Sequence, residues 1–131
     1  MKKILDGITV IDLTNVLSGP FSTMHLALLG AEVIKIENPN DGDLGRKSGC
    51  VPEYNQRLMG TSFLAQNANK KSLTLNLKDE KGKEIFKKLV EKSDVLVENA
   101  LWNSSAIINQ ECQSDKFNCE SDIFKLDLHS G

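Results

Sequence analysis

The chain has 131 residues, a formal net charge of -2 and three cysteines. This length suffices for one compact domain with a hydrophobic core, but not for separate binding and catalytic lobes. The near-neutral charge argues against nucleic acid as a partner. No apolar stretch approaches the ~18 residues that span a bilayer, and the polar start of the chain is unlike a signal peptide. We therefore expect a cytoplasmic protein with no membrane partner.

The three cysteines, Cys50, Cys112 and Cys119, do not have the spacing of metal ligands, and no histidine lies at a useful offset. Ordinary reduced thiols are the favoured interpretation. We expect no metal site.

Strand and helix signals alternate along the first part of the chain. β-Branched runs at residues 8–13 and 31–36 predict two strands, with Ser18-Gly19-Pro20 opening a helix between them. This helix, with its body at residues 21–29, is apolar nearly all round, so we expect it to be buried. Residues 38–60 form a polar loop too long for a plain connection, which makes it a place to look for function.

A third strand is predicted at residues 72–77, followed by a helix capped by Asp79 and a strand at residues 95–97. The helix carries Ile85, Phe86, Leu89 and Val90 on one face. Such alternation predicts the α/β class, with an open, mostly parallel, Rossmann-like sheet and flanking helices.

Sheets of this kind bind ligands beyond the carboxyl ends of their strands, which points to residues 14–20 after the first strand. A helix N-terminus there would attract phosphate. The sequence has no G-x-G-x-x-G and no Walker motif, and Ser-Gly-Pro before a helix is also typical of a plain turn and cap. Local spacing alone leaves both alternatives open.

An ordered set of short motifs extends the argument. In chain order they are Leu5-Asp6-Gly7-Ile8, Asp12-Leu13-Thr14, Ser18-Gly19-Pro20, residues 29–37 with Pro39, Gly42-Asp43, Arg46, residues 67–72, residues 75–78, Gly82 and residues 94–99. Taken together, residues 4–99 resemble the N-terminal segment of the class III CoA-transferase family, also called the CaiB/BaiF family.

This resemblance implies an enzyme that moves coenzyme A (CoA) between carboxylic acids, with relatives that racemise acyl-CoA thioesters. It implies CoA or acyl-CoA as substrate or ligand, and no cofactor besides. In such transferases an Asp carboxylate attacks the thioester to give a mixed anhydride, which CoA thiolate reopens as an aspartyl thioester that passes CoA to the acceptor. The family also forms interlocked homodimers, so we expect an isolated segment of this kind to be marginally stable and to self-associate.

No catalytic residue is assigned to this chain. The family places its nucleophilic Asp downstream of the segment that corresponds to Glu98-Asn99. Asp12, Asp43 and Asp94 lie in matched motifs but at framework or loop positions. Asp115, Asp122 and Asp127 match no motif.

The resemblance assigns CoA contacts to Leu17, Ser18, Asn38, Leu75, Asn76, Leu77, Lys78 and Asn99. For Leu17 and Ser18 the alternative is a turn and helix cap, and for the side chains of Leu75 and Leu77 it is core packing. Asn38 stands where some relatives have an Arg toward the nucleotide phosphate, so only a neutral hydrogen bond remains there.

Three basic residues in matched motifs have simpler interpretations than ligand binding. Lys70 and Lys71 precede a strand and are predicted to form a solvated edge. Arg46 is expected to pin its loop more than to steer an anionic substrate.

Two segments are predicted, residues 1–99 as a CoA-binding segment and residues 100–131 as a tail without family resemblance. A shifted reading frame near Asn99 would produce such a tail. Alternatively, the tail covers the sheet edge with apolar contacts from Ile107, Ile108, Phe117, Ile123, Phe124 and Leu126. Three functions follow: a truncated transferase that is inactive alone, a non-catalytic CoA- or nucleotide-binding module, or a non-functional remnant.

Overall fold

The computed structural model describes residues 2–99 and the backbone of Phe124 and Lys125. Its elements, in chain order, are β1 (Thr9–Asp12), α1 (Ser18–Leu28), β2 (Glu32–Glu37), a 3-10 helix (Leu44–Lys47), α2 (Pro52–Gln56), α3 (Thr61–Gln66), β3 (Lys71–Thr74), α4 (Glu80–Glu91), β4 (Val95–Glu98) and β5 (Phe124–Lys125). The other predicted tail contacts, Ile107, Ile108, Phe117, Ile123 and Leu126, lie outside the described residues.

The strands form one sheet in the order β3-β2-β1-β4-β5, and every pair is parallel. This confirms the predicted α/β class and parallel sheet. β1 lies between β2 and β4, so its apolar run is buried against a neighbour on each side. Helices cross over both faces of the sheet, as parallel connections require.

Alternate residues of the central strands supply two separate cores, one on each face. Ile11 joins Phe86 and Val90 of α4 on one face. Val10 and Val33 pack with Ala27 of α1 on the other. The two-residue period of a strand therefore explains why α1 and α4 lie on opposite faces.

The expectation that α1 is buried all round is wrong. Its buried residues are Gly19, Pro20, Thr23 and Ala27, which lie on one stripe of the helix. Phe21 is 52% exposed and Leu28 46% exposed. A helix that packs on a single sheet face contacts it along one stripe only, and here that stripe consists of small residues. For the same reason Ile85 of α4 is 47% exposed, although its apolar character predicted burial.

The long segment after β2 contains more structure than its polar sequence indicates. It holds the 3-10 helix and α2, and α3 follows at once. These helices are too short to show a reliable hydrophobic period, so the sequence did not reveal them. Across residues 2–99, none of the helices has the length and apolar character needed to traverse a bilayer.

Candidate functional site

The predicted contact residues follow the carboxyl ends of neighbouring strands. The β1–α1 loop (residues 13–17) follows β1, Asn38 follows β2, residues 75–78 follow β3, and Asn99 follows β4. The strand order places the β1–α1 loop between Asn99 and Asn38, with residues 75–78 two strands, or about 10 Å, from β1. We call this surface the carboxyl edge.

Three ion pairs lie beneath the carboxyl edge. The separations are 2.9 Å for Lys70 Nζ to Asp12 Oδ2, 2.8 Å for Lys35 Nζ to Asp43 Oδ2, and 2.6 Å for Arg46 Nε to Glu37 Oε2. All these side chains are buried except that of Arg46, which is 22% exposed. An unpaired charge at this depth would be strongly destabilising, so each cation requires its carboxylate. Each of the three pairs is electrically neutral.

Asp12, at the end of β1, accepts four hydrogen bonds. Its Oδ1 accepts hydrogen bonds from the backbone N–H and the hydroxyl of Thr14, and its Oδ2 accepts from Thr23 Oγ1 and Lys70 Nζ. Burial alone would raise the pKa of Asp12, but Lys35, Lys70 and the two threonine hydroxyls together lower it below its ordinary value. Asp12 is therefore ionised, and both of its oxygens are engaged.

Lys70 does not belong to a solvated edge, so that prediction was wrong for this residue. Its ammonium also donates to the carbonyl of Pro20 at 2.8 Å and to Asn67 Oδ1 at 2.7 Å. Lys71, by contrast, is 70% exposed, as predicted. The signal that sequence reasoning missed was Asp12 itself, because a carboxylate ending an apolar strand needs a buried cation.

Glu37 and Arg46 form the third pair with two parallel hydrogen bonds of 2.6 and 2.8 Å. Ser72 Oγ donates to the same carboxylate, and the Arg46 guanidinium lies 3.7 Å from the ring centroid of Phe63. Burial raises the pKa of Glu37, but Arg46, Ser72 and the backbone N–H of Asp43 outweigh it and lower the pKa to about 2. This geometry agrees with the interpretation that Arg46 pins its loop.

The β1–α1 loop ends where α1 begins, and two of the predicted contacts lie at this junction. Leu17 is 62% exposed and precedes α1 without a side-chain cap, and Ser18 is half-buried. A side chain at Gly19 would collide with Thr14, which explains the glycine in Ser-Gly-Pro. The first turn of α1 therefore starts at the carboxyl edge without a capping side chain.

The remaining predicted contacts differ in how they face the edge. Leu75 is buried and Leu77 packs against the same core, so their side chains point away from solvent. Asn76 and Lys78 are exposed beside them.

Two asparagines at the edge bond to backbone groups. Asn38 Oδ1 accepts from the backbone N–H of Asn40, at 2.9 Å. Asn99 uses its amide oxygen and nitrogen to bond the backbone N–H and C=O of Asn15, at 2.8 and 3.0 Å. Both side chains therefore support the loops that form the edge.

The described part of the carboxyl edge contains a small cleft between two strands. A cleft of about 50 Å³ lies between the ends of β1 and β2, lined by residues that include Thr14, Lys35 and Asn38. Ligand pockets usually measure about 300–1,000 Å³, so this cleft holds at most a few waters or part of a ligand. No cluster of metal-ligating side chains occurs within the described residues.

An open parallel sheet with crossover helices and loops gathered at its carboxyl edge defines a nucleotide-binding-type α/β domain. Comparison with known proteins gives a narrower assignment. The family model described as CoA-transferase family III matches residues 5–109, which extends past the predicted boundary at Asn99. The chain belongs to this family.

Two curated relatives show how much of a family member the chain represents. It is 50% identical over 97 residues to succinyl-CoA:glutarate CoA-transferase of Mus musculus, which covers 74% of this chain and 22% of the relative. It is 47% identical over 100 residues to formyl-CoA:oxalate CoA-transferase of Streptomyces avermitilis, covering 76% of this chain and 23% of the relative. The chain therefore spans less than a quarter of the length of these relatives.

Solved structures place the fold in the same family. A CaiB/BaiF family protein from Brucella suis superposes with a TM-score of 0.69 at 30% identity, covering 87% of this chain and 29% of that protein. A hypothetical protein from Mycobacterium tuberculosis gives a TM-score of 0.69 at 32% identity, covering 83% and 31%. These matches support the predicted resemblance on both sequence and fold.

The two adjacent lysines offer a direct test of the buried network. Replacing Lys70 by Met keeps the aliphatic stem but leaves the Asp12 carboxylate buried without its cation, so we expect a loss of about 3–5 kcal/mol in the free energy of unfolding. The same change at exposed Lys71 should cost at most about 1 kcal/mol. Urea unfolding of both variants measures the difference. Equal losses would contradict the assigned roles.

The Glu37–Arg46 pair makes stability depend on pH in the acid range. The folded pKa of Glu37, about 2, lies below its ordinary value of 4.5, so its stabilisation is complete above pH 4.5 and is lost as the pH falls toward 2. Replacing Glu37 by Gln should lower stability at neutral pH and flatten this dependence. Urea midpoints across the range measure it, with exposed Glu53→Gln as the control. An unchanged slope in Glu37→Gln would refute this assignment.

Proposed function

We propose that the carboxyl edge binds the nucleotide part of coenzyme A, and that the chain serves a protein that transfers CoA between carboxylic acids. The observation that carries the proposal is the uncapped start of α1 at this edge, beside exposed Leu17. Backbone N–H groups at a helix start attract phosphate. The family assignment and the two CoA-transferase relatives support the same ligand.

The electrostatics of the edge support this placement. Because each of the three carboxylates, Asp12, Glu37 and Asp43, is paired with its own cation, none of them presents an unpaired negative charge to an approaching phosphate. Lys78 is exposed after β3 and can offer a cation. A phosphate is therefore proposed to lie at the start of α1, with the adenine along the backbone of residues 75–78.

We further propose that this chain supplies binding but not the nucleophile. Asp12 is buried with both oxygens bonded, and Asp43 is buried against Lys35. Asp94 accepts from Thr9 N at the opposite end of the sheet. A carboxylate that attacks a thioester must reach its substrate, and none of these three does. We propose that the nucleophilic Asp comes from outside the described residues, as the family resemblance implies.

A second candidate, a CoA-binding module without catalysis of its own, rests on the same engaged carboxylates. A racemase-like relative would share this binding edge and differ in the residues that contact the acyl group. We propose that the acyl-selecting residues lie outside residues 2–99.

Variants at Leu17 test the phosphate position without disturbing the fold. Asp at this position caps and stabilises the start of α1, yet its charge repels phosphate. We expect Leu17→Asp to weaken CoA binding about three- to tenfold relative to Leu17→Asn, because one charge at ~5 Å in water contributes about 0.8 kcal/mol. Calorimetric titration of CoA measures the affinities, with adenosine as the ligand that lacks phosphate.

The outcomes separate two failures. Equal CoA affinity of Leu17→Asp and Leu17→Asn would show that no phosphate lies at the start of α1. Failure of the unmodified chain to bind CoA at millimolar concentration would refute the proposed ligand.

If this chain supplies binding but not the nucleophile, the purified 131-residue chain should have no CoA-transferase activity. Incubation with succinyl-CoA and glutarate, or with formyl-CoA and oxalate, should give no acyl exchange above the rate without protein. Mass spectrometry of the acyl-CoA products measures this. Protein-dependent exchange would show that a nucleophile is present in the chain.

A further inference from the structure

The β1–α1 loop adopts a backbone conformation that its sequence does not favour. Val16 has φ of 72°. This left-handed region is unfavourable for a β-branched residue, which has no local hydrogen bond to offset the strain. Such a residue keeps this conformation only when surrounding groups enforce it, and strain of this kind concentrates at functional sites. Something outside the loop must therefore hold Val16.

Side chains bond the backbone of the two residues that precede Val16. Asp12 accepts a hydrogen bond from the N–H of Thr14, and Lys35 donates one to the C=O of Thr14. The Asn99 side chain bonds both the N–H and the C=O of Asn15. These bonds therefore fix the backbone of the loop immediately before Val16.

Val16 itself is held by two side chains. Its N–H donates to Asp43 Oδ1 at 3.2 Å. One end of the Gln66 side-chain amide lies 2.5 Å from the carbonyl oxygen of Val16 and 3.3 Å from that of Leu17. Because both of these neighbours are acceptors, we assign the amide nitrogen to this end, where it donates to both carbonyls. Asp43 is already fixed by Lys35, whereas Gln66 contacts the loop from α3, an element that contributes no residue to the predicted contacts.

Gln66 is placed by the packing of α3. It is the last residue of this helix and is 7% exposed. The helix begins after Gly60, whose N–H donates to the carbonyl of Arg46 at 2.8 Å and where a side chain would collide with the carbonyls of Gly45 and Ser48. Gln66 therefore contacts the loop from a helix whose position is fixed by its packing.

We propose that Gln66 is a positioning residue that holds Val16 in the left-handed conformation and so sets the shape in which Leu17 and Ser18 meet the ligand. The role in binding rests on the proposed CoA function. The role in loop conformation does not depend on it.

Glycine at position 16 provides the rescue, because glycine adopts positive φ without strain. Replacing Gln66 by Met keeps the volume and removes the donor, so the loop populates its bound conformation less and CoA affinity should fall about tenfold. In a protein that already carries Val16→Gly, replacing Gln66 by Met should lower CoA affinity less than about threefold, because glycine does not need the Gln66 hydrogen bonds to keep a positive φ. Gln56→Met, the same substitution on exposed α2, should change nothing.

Two measurements keep the inference falsifiable. Calorimetric titration of CoA to the four combinations at positions 16 and 66 gives the coupling, and amide ¹H–¹⁵N spectra report the loop without ligand. We expect the signals of Asn15, Val16 and Leu17 to shift in Gln66→Met and to shift far less when Gln66→Met is added to Val16→Gly.

Equal losses of affinity in both backgrounds, or loop signals unmoved by Gln66→Met, would overturn the positioning role. If no variant and not even the unmodified chain binds CoA, the proposed function fails. The amide spectra alone then decide whether Gln66 positions the loop.

Discussion

Burial of charge at the carboxyl ends of β1 and β2 is the constraint on which the site depends. Asp12 and Glu37 end buried strands, and Lys35 lies within one, so each needs an opposite charge from another part of the chain. The partners come from the turn before β3 and from the segment around the 3-10 helix. Removing any partner would leave a buried charge uncompensated, so these segments cannot move independently of the sheet.

The same pairing determines how the edge appears to a ligand. Because the buried cations are committed to carboxylates, they do not act as phosphate ligands in the way that an exposed lysine would. What remains at the surface is the start of α1, apolar Leu17 and the polar ends of the loops. The proposed ligand matches this surface, because an adenine nucleotide has both a phosphate and an aromatic ring system.

The sequence predicted the features that follow from periodicity and missed those that follow from tertiary pairing. The strands around Val10, Val33 and Leu96 have apolar runs long enough to be recognised, and the parallel sheet follows from their alternation with helices. The exposure of Phe21 could not be predicted, because an apolar helix does not indicate which faces find a partner. Lys70 looked like a surface residue because its partner lies 58 positions away in the chain. The positive φ of Val16 has no local signal at all, since no glycine or asparagine occupies that position.

The hydrogen bonds of the buried carboxylates also affect which residues can act as a nucleophile. A carboxylate that accepts several hydrogen bonds and an ion pair is stabilised as a charge, and that stabilisation opposes nucleophilic attack because the lone pairs are already engaged. Asp12 and Asp43 are in this state because they hold the β1–α1 loop. The interactions that hold the β1–α1 loop therefore leave Asp12 and Asp43 unsuited to act as a nucleophile.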